Sequence, residues 1–167
     1  WSMPSYNFRR LRDEDVAALI GFLRTQPVVQ HALPKARHSW AVRWDLAFRG
    51  GTHMPEWVAQ VPALRTAEPG EYLAMTACNE CHGLDLRGSS EGTPDLAIVA
   101  GYTRTEFGRL LREGVSRDGR AELRLMLGTA RNRYAHLRDD EVDALYTFLR
   151  SLAGQPVPSD VFWRELP

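Results

Sequence analysis

The stretch Cys78-Asn79-Glu80-Cys81-His82 contains both cysteines of this 167-residue chain. Its C-x-x-C-H spacing is the pattern that attaches a c-type haem, because the two thiols can reach two vinyl groups on one edge of the macrocycle and become thioethers. The histidine that follows can then turn under the ring and present an imidazole nitrogen to the iron. The stretch therefore predicts one covalently bound haem c, held by Cys78 and Cys81, with His82 as an iron ligand.

A C-x-x-C pair can also be a redox dithiol or half of a zinc site. A zinc site would need further thiolates or histidines at suitable spacing. The sequence has no second C-x-x-C and no pair of histidines separated by three to five residues. Haem attachment is therefore the favoured interpretation of the motif.

Composition places the chain among globular proteins, with 44% hydrophobic and 25% charged residues. The formal net charge is zero, which gives no general case for nucleic acid as a partner. No run of 18 apolar residues is present, so no membrane-spanning segment is predicted. The chain opens at Trp1 without a signal peptide, so we expect a processed protein or the retained part of a longer one. Because thioethers to haem normally form outside the cytoplasmic membrane, we expect a periplasmic or otherwise extracytoplasmic location, with membrane association through a complex.

The motif lies in a segment, residues 69–153, that is predicted to be an all-α haem domain. Pro69 fits the first turn of a helix that leads into Cys78. Thr103 and Glu106 form a capping-box pattern, and Gly114 is expected to end that helix. Residues 115–136 are predicted to be mostly irregular, a last helix covers 139–152, and no strand is predicted.

The last helix of this domain has a counterpart near the start of the chain. Residues 11–25 match residues 137–151 without gaps, and nine of the fifteen positions are identical. Two unrelated amphipathic helices are the simpler alternative, but the number of identities favours an internal repeat. Residues 1–26 are therefore predicted to be the C-terminal part of a second haem domain, in which Met3 is a possible ligand of a second haem.

Residues 27–68 are predicted to be a connector, because prolines interrupt them repeatedly. Within it, Trp40, Trp44 and Phe48 recur every four residues and form one apolar stripe on a short helix. This stripe either packs on its own domain or docks on a partner subunit or a membrane interface, where tryptophan is favoured. Residues 154–167 are predicted to be a C-terminal tail.

Taken together, the order of these motifs resembles the class I cytochrome c family. Within that family, it is similar to cytochrome c subunits with two or more haem domains that serve membrane-associated dehydrogenases and respiratory complexes. The resemblance covers residues 69–153 well and residues 1–26 as a partial copy. It is carried by the haem motif with Gly83, by the final helix, and by these residues: Gly70, Tyr72, Thr93, Pro94, Asp95, Leu96 and Met126.

The resemblance implies a small helical wrap around one haem, with the first and last helices crossing near Tyr72 and Leu145. It places Tyr72 and Pro94 at the cofactor, and the Pro94 carbonyl would accept a hydrogen bond from the second ring nitrogen of His82. It also implies Met126 as the second iron ligand. A core methionine, His136 or Met54 are the alternatives to that assignment, and Met75 lies too close to Cys78 to reach the far face of the ring.

Three functions are compatible with these residues. The first is electron transfer by the haem, with redox proteins or subunits of a complex as partners. The second is a haem enzyme, which requires that Met126 leaves the iron open to a small molecule. The third is a mainly structural subunit that uses the connector and the tail. No catalytic triad, phosphate loop or paired-carboxylate site is present in the sequence, so no catalytic residue is predicted.

A basic surface is also predicted near the site. Residues 101–138 carry nine arginines against four acidic residues. These arginines either form a solvated face with salt bridges or surround the exposed haem edge and attract an acidic redox partner.

Overall fold

The computed structural model of this protein describes residues 8–31, 38–48, 61, 64, 66–88 and 92–157. The chain divides into two units, Trp1–Ala63 and Leu64–Pro167. The regular secondary structure of the described residues is helical in both units, which confirms the all-α prediction. Met3, Met54 and the end of the predicted tail, residues 158–167, lie outside the described residues.

The first unit contains helices α1, Asp13–Thr25, and α2, Trp40–Phe48. Three acidic residues occupy the first turn of α1, where their negative charges interact favourably with the positive end of the helix dipole. Arg12, in an extended conformation, occupies the N-cap position of α1. No residue of α1 is buried, so its apolar face, which includes Leu19 and Leu23, is exposed.

The second unit begins with helix α3, Pro69–Leu73, which continues through a π-helical turn, Ala74–Cys78, into the short helix α4, Asn79–His82. Three longer helices follow, namely α5, Arg104–Glu113, α6, Leu125–Asn132, and α7, Asp139–Ser151. Short 3₁₀ turns connect or end these helices, at Leu96–Gly101, Tyr134–His136 and Leu152–Gly154.

Several helix ends follow from local sequence. Pro69 lies in the first turn of α3, and the Thr103 hydroxyl and the Glu106 carboxylate form the predicted capping box at the start of α5. Gly114 ends α5 in the left-handed conformation, with φ of 71°, which glycine adopts without strain. These predictions are confirmed.

Helix α6 differs from the sequence prediction, in which residues 115–136 are mostly irregular. Gly128, Thr129 and Asn132 have low helix propensity, so the local pattern argued against a helix. Tertiary packing overrides that preference, since α6 packs on α5 and its Ala130 is fully buried.

The core of the second unit is centred on the crossing of α3 and α7. Gly70 makes this close approach possible, because a Cβ atom at that position would lie 2.1 Å from the Ala144 carbonyl oxygen. The crossing buries apolar side chains from several elements, and the cluster comprises Ala74, Leu86, Leu96, Val99, Phe107, Leu111, Val142, Leu145, Leu149 and Leu152.

We expect Gly70→Ala to destabilise the protein by about 1–3 kcal/mol, because the added methyl group must push two helices apart. Gly128→Ala is the matched control, since no atom apart from the neighbouring residues and the backbone of its own helix lies within 4 Å of a Cβ built on Gly128. That control should be neutral or stabilising by up to about 1 kcal/mol. Urea unfolding of the holoprotein measures both changes, and equal stability of the two variants would contradict the close helix crossing.

Candidate functional site

A cavity of about 310 Å³ lies in the second unit, beside the Cys78–His82 motif. Its wall is mostly apolar, and it includes Cys78 and His82 of the motif. The lining residues are Cys78, His82, Pro94, Leu96, Ile98, Val99, Tyr102, Phe107, Leu110, Leu111, Ser116, Arg120, Leu123, Met126, Tyr134, Leu145 and Leu149. Apolar walls with a few convergent polar groups are typical of a cofactor site.

His82 ends α4 and lines this cavity. The chain then reverses at Gly83, whose φ is 83° and whose missing side chain leaves room for the Gly88 carbonyl oxygen, 2.7 Å from the position of a Cβ. The loop folds back on the motif, because the Gly88 N–H donates to the His82 carbonyl at 2.8 Å and the Thr93 hydroxyl donates to the Cys81 carbonyl at 2.5 Å. This arrangement carries Pro94 to the imidazole ring.

The Nδ1 atom of His82 lies 2.9 Å from the carbonyl oxygen of Pro94. A ring nitrogen can bond to a carbonyl oxygen only by donating an N–H, so this contact selects the tautomer in which Nε2 keeps its lone pair. Burial lowers the pKa of His82, and the hydrogen bond to Pro94 partly opposes that shift. A neutral imidazole with a free Nε2 is the form that ligates a metal.

The two cysteines occupy different environments and are not bonded to each other. Cys78 lines the cavity, whereas Cys81 is exposed. Burial raises the pKa of the Cys78 thiol to about 11, and the hydrogen bond from Tyr134 offsets only part of that rise. The attacking thiol of a reactive C-x-x-C dithiol has a lowered pKa instead, so the environment of Cys78 does not suit that role.

Met126 lies in the first turn of α6, half-buried, and lines the same cavity as His82. Tyr134, eight residues later, also lines the cavity. Its hydroxyl donates to the Ala77 carbonyl at 2.9 Å and lies 3.9 Å from the Cys78 Sγ. Tyr134 thus fastens the segment that follows Met126 to the turn that carries Cys78. This role of Tyr134 is not among the sequence predictions, and its position after a candidate ligand methionine is the one signal in the sequence that points to it.

The other candidates lie elsewhere. Tyr72, on α3, and His136, which is exposed, are not among the residues that line the cavity. Met75 packs against the apolar core and does not line the cavity either. The structure therefore brings together Cys78, His82, Pro94 and Met126, and it does not place Tyr72 with them.

The candidate iron ligands, His82 and Met126, fit a haem. Within the described part of the chain, no group of three or more His, Cys, Asp or Glu residues could hold a metal ion, so a zinc centre of that kind has no ligands there. An imidazole and a thioether instead share an apolar cavity with a cysteine of the C-x-x-C-H motif. Cytochromes c ligate their iron with a histidine and a methionine in this way.

Most arginines of residues 101–138 have partners within the domain. Arg104 pairs with Asp143, and the guanidinium of Arg112 lies 2.7 Å from the Asp139 carboxylate. Arg120 lines the cavity and pairs with Asp118, whose pKa falls to about 2 because Ser116 and the arginine donate hydrogen bonds to it. The predicted basic surface is thus in large part a network of ion pairs.

The chain is similar in sequence to known proteins. Residues 67–153, just over half of the chain, match the family model described as Cytochrome c. The gluconate 2-dehydrogenase cytochrome c subunit of Pantoea cypripedii is 26% identical to this chain over an alignment of 199 residues. The alignment covers 98% of this chain and 45% of that protein. The chain thus spans about half the length of this relative. No solved structure matches the chain significantly. Among the described residues, every helix is too short or too polar to cross a membrane.

Proposed function

Because this chain belongs to the cytochrome c family, we propose that it transfers electrons through a covalent haem c whose iron is ligated by His82 and Met126. The observation that carries the proposal is the shared cavity, which is lined by both of these side chains and by Cys78. A haem supplies reversible one-electron exchange between ferric and ferrous iron when it is bound there.

Each residue of the site has a distinct part in this proposal. Cys78 and Cys81 anchor the macrocycle through thioethers, and His82 presents Nε2 while Pro94 holds its Nδ1–H. Met126 offers a soft thioether, which favours the ferrous state more than a second imidazole would. The apolar wall excludes water, which reduces the reorganisation of solvent during electron transfer.

We further propose that the chain is an electron-transfer subunit of a dehydrogenase complex, because its relative is named as the cytochrome c subunit of a dehydrogenase. An extracytoplasmic location is part of this proposal, and it rests on the expected thioether attachment of the haem. The aromatic stripe of α2 supports a docking role. Trp40, Trp44 and Phe48 are 74%, 57% and 72% exposed, and the rings of Trp44 and Phe48 stack with centroids 4.1 Å apart. Exposed aromatic rings in one row favour burial against a partner subunit.

A second haem domain is part of the same proposal. Leu145 and Leu149 of α7 are 3% and 2% exposed, whereas Leu19 and Leu23, at the repeated positions of α1, are 52% and 67% exposed. An apolar face of this kind needs a covering structure. We propose that α1 is the last helix of a second haem domain and that Met3 ligates the iron of that domain.

The purified holoprotein is expected to titrate reversibly with one electron per haem and to bind carbon monoxide poorly at neutral pH, because both iron ligands come from the protein. Spectroelectrochemistry and a carbon monoxide titration of the reduced protein measure these properties. Rapid and complete carbon monoxide binding by the native protein would contradict the electron-carrier proposal and would favour a haem enzyme with an open iron site.

A further inference from the structure

Arg87 is a charged residue whose side chain is only 5% exposed. Its guanidinium lies 3.4 Å from the Asp95 carboxylate and donates to the carbonyl oxygens of Leu152 at 2.8 Å and Gln155 at 3.0 Å. Buried arginines are rare unless they are paired, and removing a partner leaves an uncompensated charge. One side chain therefore joins the loop after His82, the segment that contains Asp95 and the turn that follows α7.

The backbone conformation next to Arg87 is held by hydrogen bonds that fix the position of this side chain. Leu86, directly before it, is fully buried and has a φ of 64°, a left-handed conformation that strains a residue with a side chain. Such strain persists only where the surroundings hold it. Here the Leu86 N–H donates to the Gly83 carbonyl, and the Leu96 N–H donates to the Leu86 carbonyl, both at 2.9 Å.

These contacts converge on the residues that follow Pro94. Asp95 receives the Arg87 ion pair and also accepts a hydrogen bond from the Ala97 N–H at 2.7 Å. Leu96 is held to Leu86 by its backbone. Residues 95 and 96 are thus fixed to the loop on both sides, and the Pro94 carbonyl, one residue earlier, is kept against the His82 ring.

We propose that Arg87 is a positioning residue for His82, which acts through Asp95 and Pro94 to maintain the Nδ1–H hydrogen bond and thereby sets the reduction potential of the haem. The inference rests on the proposed function, because it assumes that His82 ligates iron. A hydrogen bond from Nδ1 makes the opposite nitrogen a stronger donor, and a stronger donor stabilises ferric iron. Weakening this bond should therefore raise the reduction potential.

The test is Arg87→Lys in the holoprotein, because lysine keeps the positive charge but loses the planar fork that serves three acceptors. Two quantities are measured, namely the exchange rate of the His82 ring N–H by NMR and the reduction potential. We expect the exchange of the His82 ring N–H to become faster by about twofold to tenfold, which corresponds to the free energy of one hydrogen bond. We also expect the reduction potential to rise. Arg104→Lys is the matched control, since Arg104 also pairs with an aspartate, Asp143, outside the haem loop.

A purely structural Arg87 would lower the melting temperature and leave both the ring exchange and the potential of Arg87→Lys unchanged, and that result would overturn the inference. If Arg87→Lys does not fold, Asp95→Asn replaces it. Asparagine keeps an oxygen for the Ala97 N–H but weakens the ion pair, so faster ring exchange is expected and unchanged exchange would overturn the inference. Failure of the proposed function is distinguishable, because it would show in the wild-type spectrum and titration before any variant is made.

Discussion

Replacement of both Cys78 and Cys81 by alanine is expected to abolish covalent haem attachment. The two thiols are the only cysteines in the chain, so no other residue can form a thioether to the macrocycle. The variant should also unfold at a lower temperature, because a cofactor that binds only the folded chain stabilises it, and the cavity of about 310 Å³ then loses its occupant. Haem staining after denaturing electrophoresis measures attachment directly.

A double alanine substitution away from the site provides the control. Thr147→Ala with Ser151→Ala removes two exposed hydroxyls of α7, which bond only to carbonyls one turn earlier and do not line the cavity. This control should keep its haem through denaturation. Haem that survives denaturation in the cysteine variant would show that attachment takes place elsewhere.

The second large effect is expected for Met126→Leu, which keeps the volume of the side chain and removes its sulfur. Loss of the thioether should open one face of the iron, so that carbon monoxide binds readily to the reduced protein. The reduction potential should fall by on the order of 0.1 V, because axial ligands control this quantity strongly. Visible spectra, carbon monoxide binding and redox titration measure the three changes.

Met75→Leu is the matched control, because Met75 packs against the core and does not line the cavity. Its spectrum and potential should match those of the unaltered protein. If Met126→Leu retained the native spectrum and excluded carbon monoxide, another residue would be the ligand. The alternatives from the sequence are His136, which is exposed and does not line the cavity, and Met54, which lies outside the described residues.

Local sequence is sufficient to predict the haem motif and the helices that have strong caps. The five residues of the C-x-x-C-H stretch are contiguous, so their chemistry is visible without a fold. Helix α7 shows its apolar face in sequence, and the structure buries Val142, Leu145 and Leu149 as that pattern requires. The family assignment followed from the order of such local signals.

The sequence could not show contacts between distant segments or helices of weak propensity. Arg87 bonds to carbonyls 65 and 68 residues away, and Tyr134 bonds to a carbonyl 57 residues away. Hydrophobic periodicity and helix caps do not predict such long-range hydrogen bonds, because these bonds depend on how the helices pack. The π-helical turn before Cys78 and helix α6 were missed for a related reason, since packing decides them and not the intrinsic preference of their residues.

The most direct measurement of the central claim is the mass of the tryptic peptide of residues 66–87, which contains the motif and has no internal lysine or arginine. From native protein that has been denatured and treated with an alkylating reagent, we expect the peptide mass plus one haem, with neither cysteine alkylated. The unmodified peptide mass plus two alkyl groups would contradict it.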